Sequence, residues 1–216
     1  MLKVSPLRDV PLPKISKPLP DLVKPSEIEE AIKNIDEVAK AEESAELQMQ
    51  ALIVEMLYSL GIRRAELVGI DDSDISVTNS EIKVTGKRSK QRVIPVPERL
   101  MKKITEWQTV RDKEEEKTIE EDPLFIVKGK RITPARVYNI VKKTLSGSTA
   151  RKKSPHALRH SFASGMLNGG AEIDSVREFL GHASLATTQI YTHISLKEIK
   201  KAYNSAHPRS SSSTKK

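Results

Sequence analysis

The sequence predicts a mainly α-helical fold of about eight helices with a small three-stranded antiparallel sheet. Residues 28–39 have apolar side chains at helical spacing, and residues 45–60 are apolar nearly all round. Alternation with a period of two occurs in short runs between residues 75 and 96, which predicts a small sheet. With 216 residues and 37% hydrophobic content, the chain is long enough for one main domain with a packed core.

The first 25 residues contain half of the twelve prolines. Because proline fixes φ and removes a backbone donor, we expect an extended strap or linker there. Ser26 followed by Glu29 has the spacing of a capping box, which predicts that the first helix starts at Ser26. The apolar segment 45–60 is expected to form a central helix, and Gly61 is expected to end it.

A further helical turn is predicted for residues 63–68, before the sheet. Residues 75–77, 81–85 and 92–96 have the composition and alternation of short strands. The stretch GKRSKQ connects the last two of these strands, so we expect a hairpin with a cationic tip.

The second half of the chain is predicted to be mostly helical. Pro97 starts a helix to about residue 110, and an acidic surface loop follows it. Thr133-Pro134 and Ser154-Pro155 each place an N-cap hydroxyl before a proline at the first helical position, which predicts two more helices. The remaining predicted segments are short helices at 174–180, 184–193 and 195–206, and a disordered tail at 209–216.

Charge is divided unevenly along the chain. Residues 1–122 contain 20 Lys and Arg against 25 Asp and Glu, whereas residues 123–216 contain 17 against 4. The basic half favours a polyanionic partner, although charge alone is equally compatible with a solvated surface and a basic tail. Cysteine is absent, which excludes disulfides and thiolate metal sites, and we expect a cytoplasmic protein that does not enter a membrane.

Four of the five histidines lie between residues 156 and 193. His156 and His160 are four residues apart on a predicted helix, as paired zinc ligands are. Arg159 between them disfavours a cation, so we expect no metal and no other cofactor. The helix start and Arg159 instead favour an anion such as phosphate. A polar helix face without a function remains the alternative for this segment alone.

Four segments in a fixed order identify a resemblance. They are LYSLGIRRAEL at 57–67, VTGKRSKQRVIPVP at 84–97, HALRHSFAS at 156–164, and LGHAS at 180–184 with TTQIYTH at 187–193. Together they resemble the tyrosine recombinases, the integrase family of DNA breaking and joining enzymes, and their Xer-like branch. The resemblance implies an integrase-type catalytic domain over residues 26–208, acting on double-stranded DNA without metal or ATP.

The resemblance also implies a role for each catalytic residue. Arg63, Arg159 and His182 would bind the non-bridging oxygens of the scissile phosphate. Tyr191 would be the nucleophile that forms a 3′-phosphotyrosyl link, and His156 would be its general base. A lysine on the hairpin would protonate the leaving 5′-oxygen. That lysine is assigned to Lys87, with Lys90 as the competing candidate.

The other histidines and tyrosines are expected to have supporting roles. His160 and His193 are predicted to support or pack against the catalytic residues. Tyr58 and Tyr138 lie on apolar helical stripes and are predicted to be core residues.

Surface cations are expected to contact the DNA backbone without reading bases. Aromatic residues are scarce, which favours duplex DNA over single strands. The predicted DNA-binding residues are Arg88, Lys90, Arg92, Lys130, Arg131, Lys152 and Lys153.

Family members usually have a separate DNA-clamping domain before the catalytic one, but only 62 residues precede Arg63 here. Residues 8–24 resemble an interdomain linker, so we expect either a natural one-domain enzyme or a catalytic fragment. The resemblance further implies four protomers on two DNA sites, and a monomer or weak oligomer without DNA. Two alternatives remain open: a type IB topoisomerase-like enzyme that relaxes supercoils, and a DNA-binding relic without catalysis.

Overall fold

The computed structural model of the protein describes residues 22–114, 122–181, 203 and 205–207. Within these ranges, the helices are α1 (Pro25–Ala41), α2 (Ala45–Leu60), α3 (Arg64–Val68), α4 (Glu98–Glu114), α5 (Pro134–Thr144), α6 (Pro155–Asn168) and α7 (Ile173–Leu180). The strands are β1 (Ile75–Ser76), β2 (Glu81–Thr85), β3 (Gln91–Pro95), β4 (Ile126–Val127) and β5 (Lys130–Arg131). The predicted mainly helical fold with a three-stranded antiparallel sheet is confirmed.

Helix α2 is the central helix, as its composition predicts. Every residue from 49 to 60 is buried, and α2 packs against α1, α4, α5 and α6. The hydroxyl of Ser44 accepts a hydrogen bond from the backbone N–H of Leu47 at the start of the helix. Gly61 ends it in the left-handed conformation with φ of 55°. A Cβ atom at Gly61 would lie 2.4 Å from the Phe162 ring, so glycine also permits the close approach of α2 and α6.

Helix α1 starts one residue earlier than predicted. Pro25 occupies its first turn and Lys24 is the N-cap residue, so Ser26 lies inside the helix. The capping box predicted for Ser26 and Glu29 is therefore wrong, because the fixed φ of Pro25 already suits the first helical position. Just before α1, the carbonyl of Val23 accepts a hydrogen bond from the Ser161 hydroxyl at 2.8 Å. The chain that leads into α1 is thus fixed against α6.

The three-stranded sheet has the order β1-β2-β3, with Ile82 opposite Ile94 and Val84 opposite Arg92. Its buried face packs into the core through Ile82, Val84 and Ile94. The β2-β3 hairpin ends in a tip at Lys87–Ser89, where Arg88 and Ser89 have positive φ. Strands β4 and β5 form a second, unpredicted hairpin whose turn has positive φ at Lys128 and Gly129.

One of the two tyrosines predicted to lie in the core differs from expectation in its burial. Tyr138 is 38% exposed on α5, so its prediction as a core residue is wrong, whereas Tyr58 is fully buried as predicted. The buried face of α5 consists instead of Val137, Ile140 and Val141. Within the described ranges, no helix combines the length and the apolar composition needed to cross a membrane.

Candidate active site

The candidate site begins at the turn between α2 and α3. Arg63 is the N-cap residue of α3, and its backbone N–H donates to Glu66 Oε2 at 2.8 Å. Its side chain donates through Nη1 to Glu66 Oε1 at 2.7 Å and through Nη2 to the carbonyl of Gly181 at 3.4 Å. The neighbouring Arg64 is exposed. The start of α3 therefore directs Arg63, and not Arg64, toward the end of α7.

Helix α6 contributes the second arginine. Ser154 accepts a hydrogen bond from the N–H of Ala157 at 3.2 Å, and Pro155 occupies the first turn, so the helix starts as predicted. Arg159 is only 6% exposed. The apolar face of the same helix fixes its orientation through three buried side chains: Leu158, Phe162 and Met166.

Arg159 lies between the ends of two helices. Its Nη1 donates to the carbonyl of Gly61 after α2, and its Nη2 donates to the carbonyl of Leu180 in α7 at 2.6 Å. Arg63 donates to the adjacent carbonyl, that of Gly181. The two guanidinium groups therefore converge on the C-terminal end of α7, immediately before His182 in the sequence.

A third arginine, Arg92 on β3, joins the same cluster. Its Nη1 and Nη2 donate to the two carboxylate oxygens of Glu66 at 2.8 and 3.0 Å. Its Nε donates to the carbonyl of Phe179 at 3.1 Å, and the side chain is only 17% exposed. This geometry does not support the predicted contact of Arg92 with the DNA backbone, because its donors are directed into the protein.

The sequence analysis missed that Arg92 and Glu66 face into the protein, although the sequence contains a signal for each. Arg92 and the core residue Ile94 are two positions apart on one strand, and residues at this spacing lie on the same face. Glu66 is the third residue of α3, where a carboxylate accepts the N–H of the N-cap residue. Strand alternation and helix capping therefore each indicate an inward direction, although neither indicates that the two side chains meet.

The pKa of the Glu66 carboxyl shows how strongly the cluster is charged. Burial alone would raise this pKa, but hydrogen bonds from Arg92 and from Arg63 outweigh burial and lower it to about 2. Burial, followed by repulsion from Arg63, lowers the pKa of Arg159 to about 10, while Glu66 acts in the opposite direction. Two guanidinium groups thus bind one carboxylate and a third lies near it, and these four groups together carry a positive charge that suits an anion.

The tip of the hairpin borders this cluster. A Cβ atom at Gly86 would lie 3.3 Å from Glu66 Oε1 and 3.9 Å from Arg63 Nη1. The N–H of Gly86 donates to the carbonyl of Lys90 at 2.8 Å. Lys87 follows Gly86 directly, and both lysines are exposed. The backbone at the base of the tip therefore lies beside Arg63 and Glu66, and the geometry does not distinguish Lys87 from Lys90.

His156 and His160 lie on the exposed side of α6. Their Nε2 atoms are 2.9 Å apart and their ring centroids 4.4 Å apart. Burial and then the charges of His156 and Arg159 lower the pKa of His160. A hydrogen bond between two imidazoles requires that at least one is neutral. In the part of the chain that the structure describes, no group of three or more potential ligands could hold a metal ion.

The other predicted site residues fall into three groups: some bind within the protein, some are exposed, and some lie outside the described residues. Arg131 donates to the carbonyl of Val68 at 3.0 Å and pairs with Asp71 at 2.7 Å, so it holds a loop together. Lys153 donates to the carbonyl of Ser146 at 2.6 Å. The predicted DNA-binding residues with exposed side chains are Arg88, Lys90, Lys130 and Lys152. The predicted catalytic residues His182 and Tyr191, and also His193, lie outside the described residues.

Comparison with known proteins gives consistent matches over most of the chain. The phage integrase family matches residues 22–198. Tyrosine recombinase XerC of Corynebacterium glutamicum is 40% identical over 200 residues, which cover 91% of this chain and 62% of that relative. The XerC of Chlorobaculum parvum is 34% identical over 224 residues, covering 94% and 66%. The chain thus spans 62–66% of the length of these curated relatives.

Solved structures match the same region. The crystal structure of XerA recombinase has a TM-score of 0.64 and 28% identity, and the match covers 88% of this chain and 66% of that one. The structure of XerH site-specific recombinase bound to its difH substrate, a pre-cleavage complex, has a TM-score of 0.67 and 26% identity, covering 86% and 54%.

Proposed function

The chain belongs to the phage integrase family, and on this premise we propose that it is a tyrosine recombinase that cuts and rejoins double-stranded DNA. The convergence of Arg63 and Arg159 on the end of α7, next to the position of His182 in the sequence, is the observation that supports this proposal. The substrate of such a site is a phosphodiester, because planar donors with surplus positive charge bind a phosphate anion.

In the proposed reaction, the Tyr191 hydroxyl attacks the scissile phosphorus and its proton passes to His156. The bond between phosphorus and the 5′-oxygen breaks, and a hairpin lysine protonates that oxygen. Arg63, Arg159 and His182 donate to the non-bridging oxygens, where negative charge accumulates in the transition state. The 3′-phosphotyrosyl bond replaces one ester by another, so the reverse attack of the 5′-hydroxyl reseals the strand without ATP or metal.

The target sequence can be found and the proposal tested in one experiment. The protein is incubated without divalent metal with a library of randomised nicked duplexes. Cleavage releases a short fragment that carries the free 5′-hydroxyl, so the cut strand cannot be resealed. We expect a covalent protein–DNA adduct, from which the preferred sequence is read. Tyr191→Phe should abolish the adduct. Tyr138→Phe is the matched control, because Tyr138 is an exposed tyrosine on α5 outside the site, and should form it normally.

Two results would contradict the proposal. An adduct that persists in Tyr191→Phe would exclude Tyr191 as the nucleophile. Absence of an adduct with every duplex in the library would instead favour a DNA-binding protein without catalysis.

The proton donor can be assigned with a second substrate. Sulfur in place of the bridging 5′-oxygen gives a thiol leaving group, whose pKa of about 8.5 removes the need for a proton donor. We propose Lys87 as the donor, so Lys87→Met should cleave the ordinary duplex about 100-fold more slowly and the sulfur duplex almost normally. If Lys90→Met shows this behaviour and Lys87→Met does not, the assignment reverses.

We further propose that four protomers assemble on two DNA sites and exchange strands. A supercoiled plasmid with two copies of the captured sequence distinguishes this activity from a type IB topoisomerase. A recombinase yields products that depend on paired sites, whereas a topoisomerase relaxes plasmids with one site or none equally well.

A further inference from the structure

Arg92 connects three elements of the candidate site. It belongs to β3, it binds both carboxylate oxygens of Glu66 in α3, and it donates to the carbonyl of Phe179 in α7. From the residues that the structure describes, the carboxylate of Glu66 accepts four hydrogen bonds, two from Arg92 and two from Arg63. The guanidinium of Arg92 therefore fixes the hairpin strand relative to both Arg63 and the end of α7.

The backbone before His182 also packs on Arg92. Gly181 has φ of 65°, and a Cβ atom there would lie 3.1 Å from Nη1 of Arg92 and 3.2 Å from its Cζ. This space accommodates glycine and the flat guanidinium together. A displacement of the Arg92 side chain would consequently change the surroundings of Gly181 as well as those of Glu66.

The tip of the β2-β3 hairpin is exposed, so contacts at its base, such as those of Arg92, are needed to fix its position. Arg92 lies opposite Val84 in the ladder, only a few residues from the tip that includes Lys87. The tip itself has two residues at positive φ, Arg88 and Ser89, and its side chains are exposed. The ordinary mobility of an exposed hairpin would move a proton donor on the tip relative to the arginines.

We propose that Arg92 is a positioning residue: it holds the hairpin at the distance from Arg63 and α7 at which Lys87 can protonate the leaving oxygen. This inference rests on the proposed function. Arg92 does not touch the substrate in this role, and it acts through Glu66 and through the placement of the hairpin. The predicted role as a DNA-backbone contact is thereby replaced by one inside the protein.

The geometry requires arginine at this position. Three acceptors, the two oxygens of Glu66 and the carbonyl of Phe179, are contacted by three nitrogens of one planar group. A lysine ammonium retains the charge but cannot reproduce the planar fork. Arg92→Lys therefore separates a requirement for charge from a requirement for geometry.

The experiment compares Arg92→Lys and Arg92→Met with the wild type on the captured nicked duplex, with oxygen or sulfur at the bridging 5′ position. At saturating DNA, we expect both variants to cleave the oxygen duplex about 100-fold more slowly, because a small misplacement of a catalytic group has a large effect on rate. The sulfur duplex should restore cleavage to within about tenfold of the wild type, while the Kd for DNA changes by less than about threefold.

Lys83→Met is the matched control. Lys83 lies on the neighbouring strand β2 and pairs with Asp74 at 2.9 Å, and its side chain is 44% exposed. The variant removes one cation and one ion pair from the same sheet, and it should cleave both duplexes at the wild-type rate. A fall in its rate would indicate that any loss of charge from the sheet slows cleavage.

Three results would overturn the inference. They are an unchanged rate in both Arg92 variants, a rate that recovers at high DNA concentration because only binding is weakened, and an equal loss on the oxygen and sulfur duplexes. Circular dichroism reports folding, and Arg92→Lys supplies the comparison if Arg92→Met does not fold. If the wild type forms no adduct with any duplex, the proposed function fails and the inference fails with it.

Discussion

Two buried arginines of this protein are held in opposite ways. Arg111 in α4 is 1% exposed and pairs with Asp72 and Asp112, and it also donates to the carbonyl of Pro123 at 2.9 Å. Arg159 in α6 is 6% exposed and donates to the carbonyls of Gly61 and Leu180. Burial alone would lower the pKa of Arg111, but hydrogen bonds to the two aspartates outweigh it and raise the pKa. The pKa of Arg159 is lowered instead, by burial and by Arg63.

The difference indicates what each arginine does. The charge of Arg111 is neutralised by carboxylates within the fold, and its contacts hold Pro123 and Leu124 against α4. Arg159 lies near two further cations, Arg63 and Arg92, which lower its pKa, whereas Glu66 acts in the opposite direction. A buried guanidinium in a cluster with surplus positive charge is stabilised by an external anion. If the proposed function holds, the local charge balance, more than burial, distinguishes the arginine that stabilises the fold from the arginine that binds phosphate.

The largest expected effect is on catalysis by Arg159→Met. Loss of a donor to the non-bridging oxygens should lower the rate of adduct formation by about 10³-fold or more. Stability should change little, because the repulsion from Arg63 and Arg92 disappears together with the lost hydrogen bonds. Single-turnover cleavage and urea denaturation measure the two quantities. Adduct formation at the wild-type rate would remove Arg159 from the proposed mechanism.

Arg111→Met should have the opposite profile. Removing the cation from a buried pair with Asp72 should destabilise the protein by about 3 to 5 kcal/mol, since the carboxylate then lacks its main counter-charge. The rate of adduct formation per folded molecule should stay at the wild-type value. Urea denaturation gives the free energy of unfolding, and active-site titration with the nicked duplex gives the folded fraction. A specific loss of cleavage without loss of stability would invalidate the comparison.

A smaller effect is expected from pH, and it concerns the single carboxylate of the cluster. Folding lowers the pKa of Glu66 from 4.5 to about 2. The ionised carboxylate therefore stabilises the folded state at pH values above the pKa of the unfolded chain. This contribution is lost as the pH falls toward the folded pKa of about 2. Between about pH 5 and about pH 3, the loss is on the order of 2 kcal/mol.

The matched variant for this measurement is Glu66→Gln, which cannot titrate. Its Tm should start lower than that of the wild type but fall less steeply over the same pH interval, as measured by circular dichroism. Parallel curves for the two proteins would indicate that the carboxyl of Glu66 is not the group responsible.

Much of the local structure could be predicted because its signals lie within a few residues. The hydroxyls of Thr133 and Ser154 accept from the N–H groups at 136 and 157, as the N-cap signature predicts. Gly61 and Gly181 end α2 and α7 in the left-handed conformation. The misplaced start of α1 had the same local origin, because two start signals, Pro25 and the Ser26 box, compete one residue apart.

The burial of individual side chains could be predicted less well. Tyr138 lies on an apolar stripe but is 38% exposed, since the buried face of α5 consists of Val137, Ile140 and Val141 and Tyr138 lies beside it. Arg92 lies in a cationic stretch but faces inward, because its strand alternates in phase with Ile94. In both cases the neighbouring element, and not the composition of the segment, decides the direction.

The sequence by itself determined most of the helix starts and ends, the β2-β3 hairpin, and the choice of residue types that suit a phosphate. The tertiary structure alone decided which charges meet. Glu66 binds Arg92 across 26 residues, Asp72 binds Arg111 across 39, and Arg63 reaches Gly181 across 118. Hydrogen bonds of caps and turns span three or four positions, so the local sequence specifies them. Charge balance depends instead on the packing of α3, β3, α6 and α7 around a common point.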